Sequence, residues 1–441
     1  MINQSNTTFD KLVQDLTHHI RFNKGFLIWM TFLTILLITC LFAYYQQLQT
    51  GLGITGMRDY VSWGIYISNF VFFVATSLVG MLLSAVLGLL GIKWITPITR
   101  IAEIIAVAFA AVAGIVIISD MGRPERLAYV FIYGRVQSPI LWDVTVVITY
   151  FLISLLLFYI PLIPDIALCK DKLDIRPGWL KRVYKVISLN WKDSPEQNAI
   201  IKRCIRVLLL LVIPTALSIH TVTSWLFAVN SRPGWDSTIF GPYFVSGAFV
   251  AGCAAVIILM FFFMRNYKLQ DYITEKHFNN MAKLLMLMAL IYLYFNINEF
   301  LVPGYKMKRG DAIHLNDLFT GENAVLFWSV QLGGLIIPII LLFFRKMRQS
   351  LPLMLISIFV LVGSWLKRYI IVVPAMEHPY LPVQHVPMNF KTYSPTFIEI
   401  SITIASFIIV IMIITVLSKL FPVIPIKEVA SENKFPDEKA K

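Results

Sequence analysis

The sequence predicts an all-α integral membrane protein with about ten transmembrane helices. Of its 441 residues, 58% are hydrophobic and only 14% are charged. A water-soluble domain of this length could not bury so much apolar surface. A membrane-spanning helix needs about 20 apolar residues. Ten apolar runs meet this requirement, and we place them at 25–45, 61–92, 98–119, 139–163, 204–228, 241–265, 281–303, 322–345, 351–374 and 396–421.

The distribution of Lys and Arg predicts that both termini lie in the cytoplasm. The tails and loops of one side carry 26 of the 38 Lys and Arg residues, and the opposite side carries 11. Cytoplasmic loops are the ones enriched in these residues. The bias accounts for the net charge of +13, so this charge gives no reason to expect a nucleic-acid partner. We therefore expect a multi-pass protein of the bacterial inner (plasma) membrane, with the first run retained as a signal anchor.

Two halves of the chain resemble each other. A shift of 179 positions places Asp120 on Glu299 and Asp143 on Glu322, and it superimposes three pairs of apolar runs. An even number of spans in each half indicates parallel repeats, although acids at membrane edges can also coincide by chance. We expect two parallel four-helix bundles and a C-terminal helix pair. The predicted segments are a cytoplasmic N-terminal segment 1–24, a first bundle 25–163, a cytoplasmic loop 164–203, a second bundle 204–345, a helix pair 346–421 and a cytoplasmic tail 422–441.

Five ionisable residues lie within or at the ends of apolar runs. They are Asp120, Asp143, His220, Glu299 and Arg368. Such residues are costly in a membrane and usually mark a working site. The predicted topology places all five toward the outer side. Positive and negative side chains near one face predict a site for a small polar head group that exchanges protons. His220 is a natural proton acceptor, because an imidazole titrates near neutral pH.

Each of these residues also has a structural explanation. Asp120 could form an ion pair with Arg123 at the membrane edge. Asp143 follows Pro139 at the start of a helix, where an acid interacts favourably with the helix dipole. His220 could be a hydrogen-bonded packing residue. Helix capping alone does not explain why Arg368 and Glu299 lie at the same predicted depth in the membrane as Asp143.

The chain offers few candidate metal ligands. Its four cysteines are scattered and form no CxxC motif, and one His lies inside a predicted span. A transmembrane haem b usually needs two axial ligands on facing helices. We therefore expect no metal or haem on this chain. A secondary transporter or ion-conducting protein is the alternative function, but transporter sites usually lie near the bilayer midplane.

Several short stretches resemble the NrfD/polysulfide reductase family of membrane subunits. The likeness is greatest to the quinol-oxidising subunits of alternative complex III and to DsrP-like proteins. Asp120 and Leu226 depart from the alternative complex III pattern, which has a His and an Asp at these positions. The matching stretches are Trp63–Tyr66, Gly122–Pro124, Ser138–Asp143, Tyr159–Asp165, His220–Ser224, Pro233–Phe240, Pro242–Phe244, Gly363–Arg368 and Tyr393–Thr396.

The resemblance implies a quinone/quinol pocket at the outer side, in a subunit of a quinol-dependent oxidoreductase complex. Asp143 and Arg368 match residues of that pocket, and we expect His220, Glu299 and Trp142 beside them. Menaquinone or ubiquinone would be the substrate, and Asp143, His220 or Asp120 would release its protons outward. The expected electron partner is an extracytoplasmic iron–sulfur subunit of the 4Fe–4S ferredoxin type, with a multihaem cytochrome c or a molybdopterin subunit behind it.

The predicted topology can be tested with reporter fusions. A reporter fused after Lys441 should behave as cytoplasmic, and one inserted near Gly310 should behave as external, because these positions fall on opposite sides of the Lys and Arg bias. Reporter activity on each side of the membrane is the measurement. An external C-terminus would contradict the side assigned to the five ionisable residues.

Overall fold

The structure is a computed structural model that describes residues 2–20, 22–87, 89–172, 178–380, 385–387 and 390–432. These residues form helices and loops, with no strand among them. Among the described residues, ten helices are long and apolar enough to cross a membrane, which confirms the predicted number. Numbered in chain order, spans 1 to 10 are Lys24–Thr50, Ile65–Val86, Lys93–Asp120, Pro139–Asp171, Pro195–Ala228, Phe240–Asn266, Glu275–Lys306, Ala324–Phe343, Ser350–Glu377 and Phe397–Leu420.

Shorter helices connect or flank these spans. Two π-helical segments, Leu83–Leu87 and Ser329–Ile336, lie at the end of span 2 and within span 8. The cytoplasmic loop predicted at 164–203 contains the amphipathic helix Gly178–Ile187, whose Leu180 and Tyr184 are buried. The short helix Lys93–Ile95 forms the start of span 3. The remaining short helices are Ile2–Thr17, Leu52–Ile54, Pro124–Arg126, Tyr129–Ile132, Arg309–Phe319, Arg345–Arg348 and Ile426–Glu432.

Spans 2, 3 and 6 form the centre of the molecule. Span 2 is apolar on all sides and almost completely buried, as expected for a helix surrounded by other helices. Small residues allow close approach of these helices. A Cβ at Gly80 of span 2 would lie 1.9 Å from the backbone oxygen of Ala102 in span 3, and a Cβ at Gly252 of span 6 would lie 2.4 Å from Val79. Spans 2 and 6, which the repeat superimposes, therefore pack closely on each other.

The other spans are arranged around this centre. Span 4 packs between spans 3 and 5, and span 9 packs against spans 2, 6 and 8. Span 1 packs mainly against span 10, although the predicted first bundle combines span 1 with spans 2–4. These contacts favour spans 2–5 and 6–9 as the two bundles, with spans 1 and 10 as an outer pair. The predicted domain borders stay a prediction.

A buried ion pair joins the helices at the predicted inner face. Arg100 of span 3 and Asp165 of span 4 are 2.7 Å apart and almost completely buried. Asp165 also accepts hydrogen bonds from the backbone N–H groups of Ile426 and Lys427, at 3.2 Å each. This carboxylate therefore anchors the short helix Ile426–Glu432 against the spans.

The close contact at Gly80 should limit the side chain at this position. Gly80→Ala places its Cβ against the backbone of span 3, so we expect a loss of about 1–3 kcal/mol of stability from overpacking. Gly114→Ala in span 3 is the control, since a Cβ there has no neighbouring atom within 4 Å. Thermal unfolding in detergent should show a lower Tm for Gly80→Ala alone. Equal Tm values for the two variants would contradict the packing described here.

Candidate functional site

Arg368 lies in span 9 with its guanidinium against span 6. Its side chain is almost completely buried, and its guanidinium carbon lies 5.2 Å from the ring centroid of Phe244. Gly247 makes room for it, because a Cβ there would be 2.9 Å from Arg368 Nη2 and 2.8 Å from Tyr292 Cε2. Arg368 Nε and Nη1 have no hydrogen-bond partner among the described residues. Buried polar atoms normally have one, so this group retains the capacity to donate to a ligand.

His220 of span 5 lies within electrostatic range of Arg368. Its imidazole is buried, and Nε2 finds no hydrogen-bond partner in the described part of the chain. Spans 5 and 9 both pack against span 6, which brings the two side chains to the same helix. The structure therefore brings together two of the residues that the sequence predicts for the site.

Asp143 is connected to this pair through span 5. It is buried near the start of span 4, and its Oδ1 accepts a hydrogen bond of 2.6 Å from the hydroxyl of Thr223. Thr223 follows His220 by three residues, so the two side chains lie on the same helix face. Asp143 thus reaches the helix face that carries His220. Thr223 was not among the predicted site residues, although the stretch His220–Ser224 contains it.

Glu299 belongs to a neighbouring polar network. Its carboxylate lies 3.4 Å from Lys367 Nζ, and both side chains are buried. Asn296, one turn earlier in span 7, accepts a hydrogen bond of 3.0 Å from the Tyr243 hydroxyl and donates one of 2.6 Å to Gln331. Lys367 next to Arg368, and the two tyrosines Tyr243 and Tyr292, are therefore polar residues of this region that the sequence prediction missed.

Asp120 lies in a different region, at the end of span 3. It is half-buried and in electrostatic range of Glu399, the buried acid near the start of span 10. Glu399 accepts hydrogen bonds of 2.6 Å from the Tyr393 hydroxyl and 2.7 Å from the backbone of Gly56. Span 10 lies beside span 1, so these contacts connect Asp120 to the outer helix pair. Its predicted part in proton release stays a prediction.

Trp142 lies at the start of span 4 next to an exposed aromatic residue. Its ring meets that of Trp225 edge to face, with centroids 6.3 Å apart, and its Nε1 donates to the backbone oxygen of Val136. Trp225 is 44% exposed. These contacts are typical of aromatic residues at a membrane interface. They do not test the predicted part of Trp142 in quinone binding.

The helix Arg309–Phe319 packs over the end of span 9. Its Asp317 lies 3.4 Å from His378 Nε2 and accepts a hydrogen bond of 2.9 Å from Asn323. Burial alone would raise the pKa of Asp317, but these two partners lower it below its ordinary value. Burial lowers the pKa of His314, on the same helix, to about 4. This cover therefore has an ionised carboxylate at Asp317 and a neutral imidazole at His314 at neutral pH.

The described residues contain no group of three or more His, Cys, Asp or Glu side chains placed to hold a metal ion. The fold and the buried groups together define a polytopic helical membrane protein with a polar site between packed spans. Its sequence matches the family model described as polysulphide reductase, NrfD, over residues 53–379. The chain belongs to this family, which confirms the resemblance that the short stretches indicate.

Three curated relatives extend over nearly the whole chain. A selenate reductase subunit from Mesobacillus selenatarsenatis is 26% identical over 90% of this chain and 94% of its own length. The menaquinone reductase integral membrane subunit of Nitratidesulfovibrio vulgaris is 23% identical, covering 91% and 92% of the two chains. The Hdr-like menaquinol oxidoreductase integral membrane subunit of Archaeoglobus fulgidus is 22% identical, covering 90% and 94%. This chain is thus similar to membrane subunits of reductases and menaquinol oxidoreductases.

Proposed function

We propose that this protein is the quinone/quinol-binding membrane subunit of a respiratory electron-transfer complex. The observation that carries the proposal is the group of three buried nitrogen atoms, Nε and Nη1 of Arg368 and Nε2 of His220, which have no hydrogen-bond partner in the described chain. A quinone head group has two carbonyl oxygens that accept hydrogen bonds, and in the quinol they become hydroxyl groups that can also donate. Relatives named for menaquinone and menaquinol support a naphthoquinone, with ubiquinone as the other possible substrate.

The three site residues have different roles in this proposal. Arg368 donates a hydrogen bond from its guanidinium to a quinone oxygen. His220, at its free Nε2, or Asp143 on the same side accepts a proton from one quinol hydroxyl. Oxidation of one quinol releases two protons and two electrons. The protons leave at the predicted outer face, and the electrons pass to a partner subunit.

The loop between spans 3 and 4 is a suitable docking surface for that partner. It has exposed aromatic and apolar side chains, Tyr129, Phe131, Ile132, Tyr133 and Val136, and the exposed cations Arg123, Arg126 and Arg135. Aromatic residues and Arg are enriched in protein–protein interfaces. We propose an extracytoplasmic iron–sulfur subunit of the 4Fe–4S ferredoxin type as the partner at this face. A multihaem cytochrome c or a molybdopterin subunit would complete the electron-transfer chain.

Arg368→Leu tests the head-group site directly. The variant lacks a charge-assisted hydrogen bond, so we expect a loss of about 1.5–3 kcal/mol in quinone affinity, which is roughly tenfold to hundredfold in Kd. Asp143→Asn keeps the shape of the side chain but cannot take up a proton, so we expect it to lower turnover more than affinity. Quinone titration and quinol oxidation by the assembled complex are the measurements.

Glu322→Gln is the control for both variants. Glu322 is the repeat equivalent of Asp143, but it is exposed. We therefore expect it to leave quinone affinity and turnover unchanged. Normal quinol oxidation by complexes that carry Arg368→Leu and Asp143→Asn would refute the proposed site.

The position of the Arg368 guanidinium should matter as much as its charge. Gly247→Ala introduces a Cβ that displaces Arg368 Nη2 or the Tyr292 ring, so we expect quinone affinity to fall about tenfold or more. Gly241→Ala on the same span is the matched control, because its Cβ would have only ordinary contacts, at 3.5 Å or more. Quinone titration of both variants checks this, and unchanged affinity in Gly247→Ala would show that ligand binding does not depend on this guanidinium position.

A further inference from the structure

Two tyrosines connect Arg368 to Glu299. Tyr292 lies beside the Arg368 guanidinium at Gly247. Its hydroxyl donates to the Tyr243 hydroxyl at 3.2 Å, and the two rings are stacked with centroids 5.1 Å apart. The Tyr243 hydroxyl in turn donates to Asn296 Oδ1 at 3.0 Å, and it lies close enough to the Glu299 carboxylate to interact with it. The hydrogen bond between the tyrosines is directed from the Arg368 end toward the Glu299 end.

Glu299 also lines a cavity of about 150 Å³ beside the loops of the predicted outer face. A cavity of this size has room for several water molecules, each of which needs about 10–15 Å³ on this measure. The charged residues Asp236, Lys306 and Lys308 line the same cavity and are exposed to solvent. The cavity therefore connects the Glu299 carboxylate with the surface.

We propose that Tyr292, Tyr243 and Glu299 form a proton-release route from the head group to the predicted outer face. This inference rests on the proposed quinone site at Arg368. One of the two quinol protons goes to His220 or Asp143. The proton of the other quinol hydroxyl passes to the Tyr292 oxygen while Tyr292 gives its own proton to Tyr243. The Tyr243 hydroxyl turns from Asn296 Oδ1 to the Glu299 carboxylate and gives it its proton, so each tyrosine again has one proton. Glu299 then passes the proton to water in the cavity, while the electrons leave for the partner subunit.

Lys367 is a positioning residue for this route. Its ammonium group lies 3.4 Å from Glu299 and 4.6 Å from the ring centroid of Phe300. A buried cation next to a carboxylate favours the ionised acid, which is the form that can accept a proton. Once Glu299 has accepted a proton, Lys367 favours its release to the cavity. The ion pair thus resets the acceptor after each turnover.

Tyr243→Phe is the decisive variant, because it removes one hydroxyl and leaves the Glu299–Lys367 ion pair intact. We expect quinol-oxidation turnover of the assembled complex to fall on the order of 100-fold and its solvent isotope effect to increase. Quinone affinity should stay within about twofold of the wild type. Tyr267→Phe is the matched control. Its hydroxyl bonds to Ser418 at 2.9 Å, at the opposite end of span 6, and we expect no change in turnover or isotope effect.

Variants of the acid itself provide a second test. Glu299→Gln leaves Lys367 buried without its carboxylate and can prevent folding, so the double variant Glu299→Gln/Lys367→Met is used instead. We expect it to bind quinone but to lose turnover as Tyr243→Phe does. Glu299→Asp keeps an acid at this position and should restore at least a tenth of the wild-type rate.

The results separate this route from the quinone site. A loss of turnover below tenfold in Tyr243→Phe or in the double variant, with quinone bound normally, would refute the route and leave the site in place. Unchanged quinone affinity in Arg368→Leu would refute the site itself. A loss above tenfold in both variants, with normal quinone binding and the isotope effect confined to them, supports the route.

Discussion

The cost of burying a charge inside a membrane protein is the constraint on which the arrangement of the polar residues depends. An unpaired buried ion costs several kcal/mol, so buried charges need partners. Arg100 meets this need with Asp165 at 2.7 Å, and Lys367 meets it with Glu299 at 3.4 Å. Arg368 has an aromatic ring beside it, but two of its nitrogen atoms have no partner in the described chain. The charges of the first two pairs therefore neutralise each other, whereas Arg368 keeps two nitrogen atoms that can still donate to a ligand.

Small residues of span 6 connect this electrostatic arrangement with the packing of the helices. Gly252 allows span 6 to lie directly against Val79 of span 2. Gly247, less than two turns earlier, provides the space that Arg368 and Tyr292 occupy. Larger side chains along this stripe would separate the two halves and fill the space beside the guanidinium. The small residues of span 6 thus allow the helices to pack closely and also permit a polar site between them.

The sequence predicts the ten spans well, because a long apolar run has few other stable structures in a protein of this composition. It also indicates Arg368, His220 and Asp143, since ionisable residues are rare in such runs. It does not indicate how each helix is rotated about its axis. From the sequence alone, Tyr243 and Tyr292 could therefore not be distinguished from interfacial aromatic residues. The position of Asp120 near span 10 could not be predicted either. A structural role for Glu399 could be predicted from the sequence, because Thr396 and Glu399 have the spacing of a capping box. The structure shows that they form one.

The two halves of the repeat have different chemistry at equivalent positions. Asp143 is buried and bonded to Thr223, whereas its equivalent Glu322 is exposed. Asp120 is half-buried near Glu399, whereas its equivalent Glu299 is buried with Lys367. Each buried charge costs free energy. A protein with one complete head-group site has fewer buried charges than a protein with two such sites, so its folding is less costly. In the proposed arrangement the first half contributes the proton acceptors of spans 4 and 5. The second half contributes the guanidinium and the polar network that extends toward the surface, and for this reason the head group belongs at the boundary between the halves.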